Sequence, residues 1–281
     1  MGVLSGVHPR NSFAAIGECL AADAERVEID VHSLAGPDYA VFHDRRLDEH
    51  TTGTGSIGRA TPDEFRTARF VERPDERPPL LSEIVAMARD CRTELQLDLK
   101  DWRPLSDERV HALIDAVAPI KDRAIISSGQ DWNLARFRAA DPELRIGFDP
   151  GHYLDHETEE SSNFLPRMMS AYGYRDDHPL AFGRTEEIAE YLEQRFEMLL
   201  LQAPGSREYF LNYRLVLQML DDGFNVAAFL HDRGIDANVW TLDYAGPESL
   251  AMLQQLLAAG FDRVTTNTLP AWQSLLTGNE R

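Results

Sequence analysis

The stretch VEIDVHSLAGPDYAVFHD, Val27 to Asp44, decides how the chain is read. Its first run is rich in strand-forming residues and carries two carboxylates, Glu28 and Asp30. Strand side chains alternate faces with a period of two, so both acids point the same way. Ala35-Gly36-Pro37-Asp38 is a turn signal, and Tyr39 to Phe42 is a second strand-like run that delivers His43 and Asp44. The link is too short for a helical crossover, so the second run is expected to return antiparallel as a hairpin. Centring the turn between Gly36 and Pro37 sets Asp30 opposite His43. Paired acids are ligands for hard cations, and histidine is the usual proton carrier near neutrality. Alone, an E-x-D is ordinarily a solvated edge or half of a salt bridge, and an HD is ordinarily a turn. Their combination carries more, because acids on an apolar strand are costly to bury without a partner.

Around this hairpin the chain has 281 residues, 43% of them hydrophobic, enough for one large α/β barrel or two smaller domains. Lys plus Arg is 28 and Asp plus Glu is 47, a formal net charge of −19. Such a surface repels nucleic acid and anionic lipid. An anionic substrate therefore needs local help, from a metal or a few placed cations. Cys19 and Cys91 fit no metal spacing and no disulfide framework, and each reads as a buried apolar residue. No apolar run spans a bilayer, and no signal peptide is visible, so a cytoplasmic location is expected.

Outward from the hairpin, residues 11–24 read as an amphipathic helix capped by Asn11 or Ser12. Thr51 to Gly55 is a small-residue loop, and Thr61-Pro62-Asp63-Glu64 opens a short helix. Glu94 to Lys100 alternates cleanly: Leu95, Leu97 and Leu99 face one way, and Gln96, Asp98 and Lys100 the other. In a parallel barrel that second face is the interior, where an acid and a lysine would be paired and functional. Helix and strand patterns keep alternating to the end, which argues for repeated βα units and a parallel sheet. Seven parallel strands are expected, near residues 28, 97, 126, 147, 211, 239 and 264; a (β/α)8 barrel needs eight, and the missing one belongs at the very beginning. Residues 150–179 break the rhythm and read as a lid or a mobile insertion. His152, His156 and His178 lie there, in no zinc spacing.

At this point the residues resemble the glycerophosphodiester phosphodiesterase family. Its pattern runs from a first strand ending in His-Arg-Gly, through Pro-Glu-Asn-Thr, E-x-D, His-Asp and a Thr-Thr-x-Gly loop, to E-x-K, Trp-Thr-x-Asn and a late Thr-Asp. Here Glu28-Ile29-Asp30, His43-Asp44 and Thr51–Gly55 match. Asp98-Leu99-Lys100 stands for E-x-K, with Asp for Glu. Trp240-Thr241-Leu242-Asp243 has Asp for Asn, and Thr266-Asn267 has Asn for Asp. Pro9-Arg10-Asn11-Ser12 puts Arg10 where the family has an acid. The family's His-Arg would fall at or before Met1, and a start placed too late is favoured over natural loss.

The resemblance implies an α/β, (β/α)8 TIM-type barrel, its first strand absent or truncated, as a single domain over 1–281 with a lid-like insertion at about 150–179. It implies hydrolysis of a glycerophosphodiester to glycerol 3-phosphate and an alcohol, in lipid metabolism. Glu28, Asp30 and Asp98 would hold one divalent ion, Ca2+ or Mg2+, and His43 would be the general acid or base. Lys100 would offset phosphate charge, and Trp240 would pack on the substrate. The partner would be a small-molecule phosphodiester, with no nucleic acid and no stable membrane insertion; oligomeric state leaves no trace. Two alternatives stay open: a phosphate-ester-binding barrel with impaired turnover, and a lysophospholipase D-like phosphodiesterase.

Overall fold

The computed structural model describes residues 4–22, 24–156 and 168–277. It divides into two compact units, Met1–Ile146 and Gly147–Arg281.

In the first unit, helix α1 (Phe13–Ala21) leads into strand β1 (Arg26–Ser33), which turns back into β2 (Tyr39–Val41). Helices α2 (Pro62–Thr67) and α3 (Leu81–Ala88) precede β3 (Glu94–Leu99), and α4 (Asp107–Val117), β4 (Ala124–Ser128) and α5 (Asp131–Ala140) follow. The strand order is β2-β1-β3-β4. The β1–β2 pair is antiparallel and the others are parallel.

The hairpin forms as expected, but its register is shifted by one residue. Val31 pairs with Val41 and His32 with Ala40, and the Phe42 amide donates to the Asp30 carbonyl at 3.0 Å. Asp30 is thus level with Phe42, not His43. A tight turn would have allowed the other register, but Leu34 to Asp38 forms a looser loop, closed by the Leu34 amide on the Asp38 carbonyl. Below it, Leu34, Phe42, Leu47, Ile57, Phe65, Phe70 and Leu80 bury together. Each such side chain contributes roughly 1.5–3 kcal/mol when fully removed from water. That cluster fixes the loop of residues 45–60 against the hairpin.

Helix starts follow local chemistry. Ser12 caps α1, accepting from the Ala15 amide at 3.1 Å, and Thr61 with Glu64 closes a reciprocal capping box on α2. At the other end of the strands from the acidic residues, Glu94 takes Arg26 at 2.6 Å and Arg145 at 2.7 Å.

In the second unit, β5 (Ile146–Phe148) is followed by α6 (Ile188–Gln202), β6 (Glu208–Asn212), α7 (Tyr213–Asp221), α8 (Val226–His231), β7 (Asp236–Trp240), α9 (Pro247–Ala259), β8 (Arg263–Val264) and α10 (Leu269–Leu276). The order is β5-β6-β7-β8, all parallel. Gly260 ends α9 at φ 96°, the left-handed backbone that glycine adopts without strain. The seven expected parallel strands are all present. Helix α7 was not anticipated, although its buried Leu215, Val216 and Met219 have helical spacing.

Residues 157–167, the middle of the expected lid, lie outside the described residues. The flanking histidines do not converge: His178 Nδ1 accepts the Leu180 amide at 3.1 Å, while His156 Nδ1 meets Gln218 Oε1. Both cysteines are free; Cys19 is buried, as expected, but Cys91, on the exposed exit of α3, is only half-buried. Among the described residues, no helix is long and apolar enough to cross a membrane.

Candidate active site

Parallel pairing of β1 with β3 sets Glu28 beside Gln96 and Asp30 beside Asp98. Glu28, Asp30 and Asp98 each offer one carboxylate oxygen, and these three oxygens lie within 4.8 Å of one another. Three like charges so close repel strongly in a buried setting. Lys100 answers part of that: its Nζ stands 2.5 Å from Asp98 Oδ2 and 3.0 Å from Asp30 Oδ1. Among the described residues this is the group of three or more acids, histidines or cysteines that could hold a metal ion.

Asp30 is the anchor, with 0% of its surface exposed. Burial alone would raise its pKa; the Lys100 charge outweighs that, with help from His43 and an Asn11 hydrogen bond, and holds the carboxyl well below the usual range. Burial likewise acts to neutralise Lys100, but Asp98 and Asp30 keep the ammonium charged beyond the ordinary lysine range. Asn11 Nδ2 donates to Asp30 Oδ2 at 2.7 Å, and the Asp30 amide donates back to Asn11 Oδ1 at 3.2 Å. Asn11 sits at φ 59°, a left-handed conformation that asparagine tolerates better than most residues. Of the two cap candidates the helix uses Ser12, which leaves Asn11 free to act as a positioning residue for Asp30.

His32 is the second residue that reading passed over. It continues the period of two from Glu28 and Asp30, is 5% exposed, and its Nε2 donates to the His43 carbonyl at 3.1 Å. Burial lowers its pKa and keeps the ring neutral, so the hydrogen on Nε2 is fixed by the carbonyl it meets. His32 thus holds the backbone at His43. The His43 ring itself is 54% exposed, with Nδ1 2.9 Å from Asp44 Oδ1. His50 Nε2 approaches the other Asp44 oxygen at 3.4 Å.

The donor set suits one hard divalent ion. All three ligand atoms are carboxylate oxygens, and the one cation among them, the Lys100 ammonium, reaches only Asp30 and Asp98. An ion bound to oxygens at about 2.3–2.6 Å accommodates ligand atoms up to about 5 Å apart. The observed spread falls inside that limit.

In the second unit, Trp240 closes β7, half-buried, with its indole Nε1 making no hydrogen bond. The two departures at the C-terminal motifs meet each other there. The Asn267 amide donates to Asp243 Oδ1 at 2.6 Å and Asn267 Nδ2 to Asp243 Oδ2 at 3.2 Å, so acid and amide have exchanged places within one contact.

Known proteins resemble this chain over most of its length. The model of the glycerophosphoryl diester phosphodiesterase family matches residues 4–171, more than half of the chain. A glycerophosphodiester phosphodiesterase of Bacillus altitudinis is 24% identical over 196 residues, 66% of this chain and 77% of that protein. The uncharacterised protein YqiK of Bacillus subtilis is 26% identical over 138 residues, 47% of this chain and only 57% of the relative's length. Among solved structures, an Oleispira antarctica phosphodiesterase in complex with the product sn-glycerol-3-phosphate has a TM-score of 0.64 at 18% identity, covering 99% of this chain and 97% of that one. The glycerophosphodiester phosphodiesterase of Thermotoga maritima has 0.62 at 18%, covering 98% of each. The likeness to the solved structures gives the fold, an α/β, (β/α)8 TIM-type barrel. The chain belongs to the glycerophosphoryl diester phosphodiesterase family.

Proposed function

We propose that the chain hydrolyses a glycerophosphodiester to glycerol 3-phosphate and an alcohol, with one divalent ion, Ca2+ or Mg2+, held by Glu28, Asp30 and Asp98. The observation that carries this is the meeting of three carboxylate oxygens within 4.8 Å, with the Lys100 ammonium on two of them. The product named for the Oleispira antarctica phosphodiesterase supports the choice of substrate class.

When bound, the ion supplies a Lewis acid for a phosphate oxygen. Lys100 neutralises further charge on the phosphoryl group, as attack on an anionic diester requires. Asp30, locked by Asn11, fixes the register of the set. His43 moves a proton at the attacking or leaving oxygen; Asp44 orients its ring through Nδ1, and His32 holds the segment that carries it. Trp240 is a candidate substrate-binding residue by its motif position alone. A cytoplasmic location and a part in lipid turnover belong to the same proposal.

The experiment is hydrolysis of glycerophosphocholine by chelator-treated protein, with Ca2+ or Mg2+ added back. Release of glycerol 3-phosphate only in the presence of the ion supports the proposal. Metal binding without turnover would replace it by the binding-barrel alternative, and a preference for long-chain lysolipids by the lysophospholipase D-like one.

A further inference from the structure

A cleft of about 870 Å³ opens beside Lys100 in the first unit. The loop of residues 45–60 forms one wall, and residues 101–105 with Arg109 form another. Six cations line it: Arg45, Arg46, Arg59, Lys100, Arg103 and Arg109. Only two acids do, Glu64 and Asp101. An excess of four positive charges (6 − 2) in one concavity contrasts with a whole chain at −19.

The partners of these groups show which charges are spoken for. Lys100 is matched by Asp30 and Asp98, and Arg46 by Asp48 at 3.0 Å. Glu64 is engaged by the Thr61 amide and hydroxyl, and Asp101 by the Ser33 amide and hydroxyl. Arg109 is held by Nη1 on Ser33 Oγ at 3.0 Å, and Arg45 lies over the Trp102 ring at 5.3 Å. Among the described residues, no ion pair or hydrogen bond engages the guanidinium of Arg59 or Arg103, although the Arg103 carbonyl accepts from Asn133 Nδ2 at 3.2 Å. Four guanidinium groups are thus gathered with little acid to answer them. Each exposed pair is worth little alone, but a concave wall focuses the field, and guanidinium binds phosphate bidentately. At the proposed centre the diester phosphate already has the metal site and Lys100. The arginines are surplus to that phosphate and point to a second anion on the substrate.

We infer that the cleft receives an alcohol substituent bearing its own phosphate monoester, so that the preferred substrate is the glycerophosphodiester of a phosphorylated alcohol. This rests on the proposed diesterase reading and names its substrate class. The volume suits such a group, since ligand sites commonly span about 300–1,000 Å³.

The test compares kcat/KM for glycerophosphocholine, glycerophosphoglycerol and glycerophosphoinositol 4-phosphate, in the wild-type chain and in Arg59→Gln/Arg103→Gln. The phosphorylated substrate is expected to exceed the other two by about tenfold or more. The double variant is expected to abolish that margin and leave glycerophosphoglycerol unchanged. Equal or better turnover of the choline diester, or a loss shared by all three substrates, overturns the inference. Should no diester be turned over, the diesterase reading fails on its own, and calorimetric titration with inorganic phosphate under chelator still reads the cleft. Binding that weakens fivefold or more in the double variant keeps the cleft as an anion site; equal binding, or none, removes it.

Discussion

Lys100 Nζ lies 3.0 Å from Asp30 Oδ1, an ammonium set against a carboxylate with no exposed surface. The pair stands among three acids that need a further cation to be stable together. Lys100→Met would leave Asp30 buried and uncompensated. Breaking such a pair costs about 3–5 kcal/mol. The expected outcome is a large fall in the urea midpoint under chelator that Ca2+ or Mg2+ partly restores, because a cation bound only by the folded chain stabilises it. An equal fall with and without the ion would deny the coupling.

Asn11 and Ser12 are neighbours with separable tasks. Asn11→Ala removes two hydrogen bonds from Asp30 and puts alanine at φ 59°. A loss of roughly 2–3 kcal/mol is expected from the bonds and the backbone together, with metal affinity down about tenfold or more. Ser12→Ala removes only the cap, costing about 1 kcal/mol and leaving metal affinity unchanged. Chemical denaturation with a metal titration distinguishes the two variants.

His43 and His50 share the Asp44 carboxylate, but only His43 follows the segment held by His32. His43→Gln is expected to lower kcat by about 10²–10⁴-fold with little change in KM, as for loss of a proton-transfer group. His50→Gln is expected to change kcat less than about threefold, since its contact is long and exposed. Steady-state kinetics on both variants checks this; similar losses would assign the proton to neither alone.

Asp155 in the second unit sets a pH dependence apart from the site. It is buried, its Oδ1 makes no hydrogen bond, and burial pushes its pKa up to about 6. Between about pH 4 and 6 the folded chain holds a proton that the unfolded chain has released, so this residue's contribution falls as pH rises through that window. Asp155→Asn is expected to remove the loss, raising stability at pH 7.5 by up to about 3 kcal/mol and by much less at pH 4. Urea midpoints at the two pH values test it. A gain of the same size at both would show that ionisation is not the cause.

The parts of the fold carried by periodicity were legible before any coordinates. Glu28 and Asp30, Asp98 and Lys100 alternate on their strands, and parallel pairing brings them together as the pattern implied. The hairpin register was not legible to one residue, because it depends on how loosely Leu34 to Asp38 turns. The choice of Ser12 over Asn11 as the cap was not legible, because the Asn11 side-chain bonds follow from a left-handed backbone that no periodicity announces. His32 was readable in principle, two places beyond Asp30, but a strand histidine flanked by valine and serine gives no hint of the carbonyl it meets. The cleft could not be read at all: Arg45, Arg59, Arg103 and Arg109 come from separate loops and a helix, and only folding assembles them. The acid–amide exchange of Asp243 and Asn267 looked like two departures from the family pattern until their contact joined them.

The central claim, one divalent ion shared by Glu28, Asp30 and Asp98, is tested most directly by X-ray diffraction from crystals soaked in Mn2+. A single anomalous peak within about 2.0–2.6 Å of an oxygen from each of the three residues, lost in Asp30→Asn, is the predicted result. A peak elsewhere, or none at saturating ion, would contradict it.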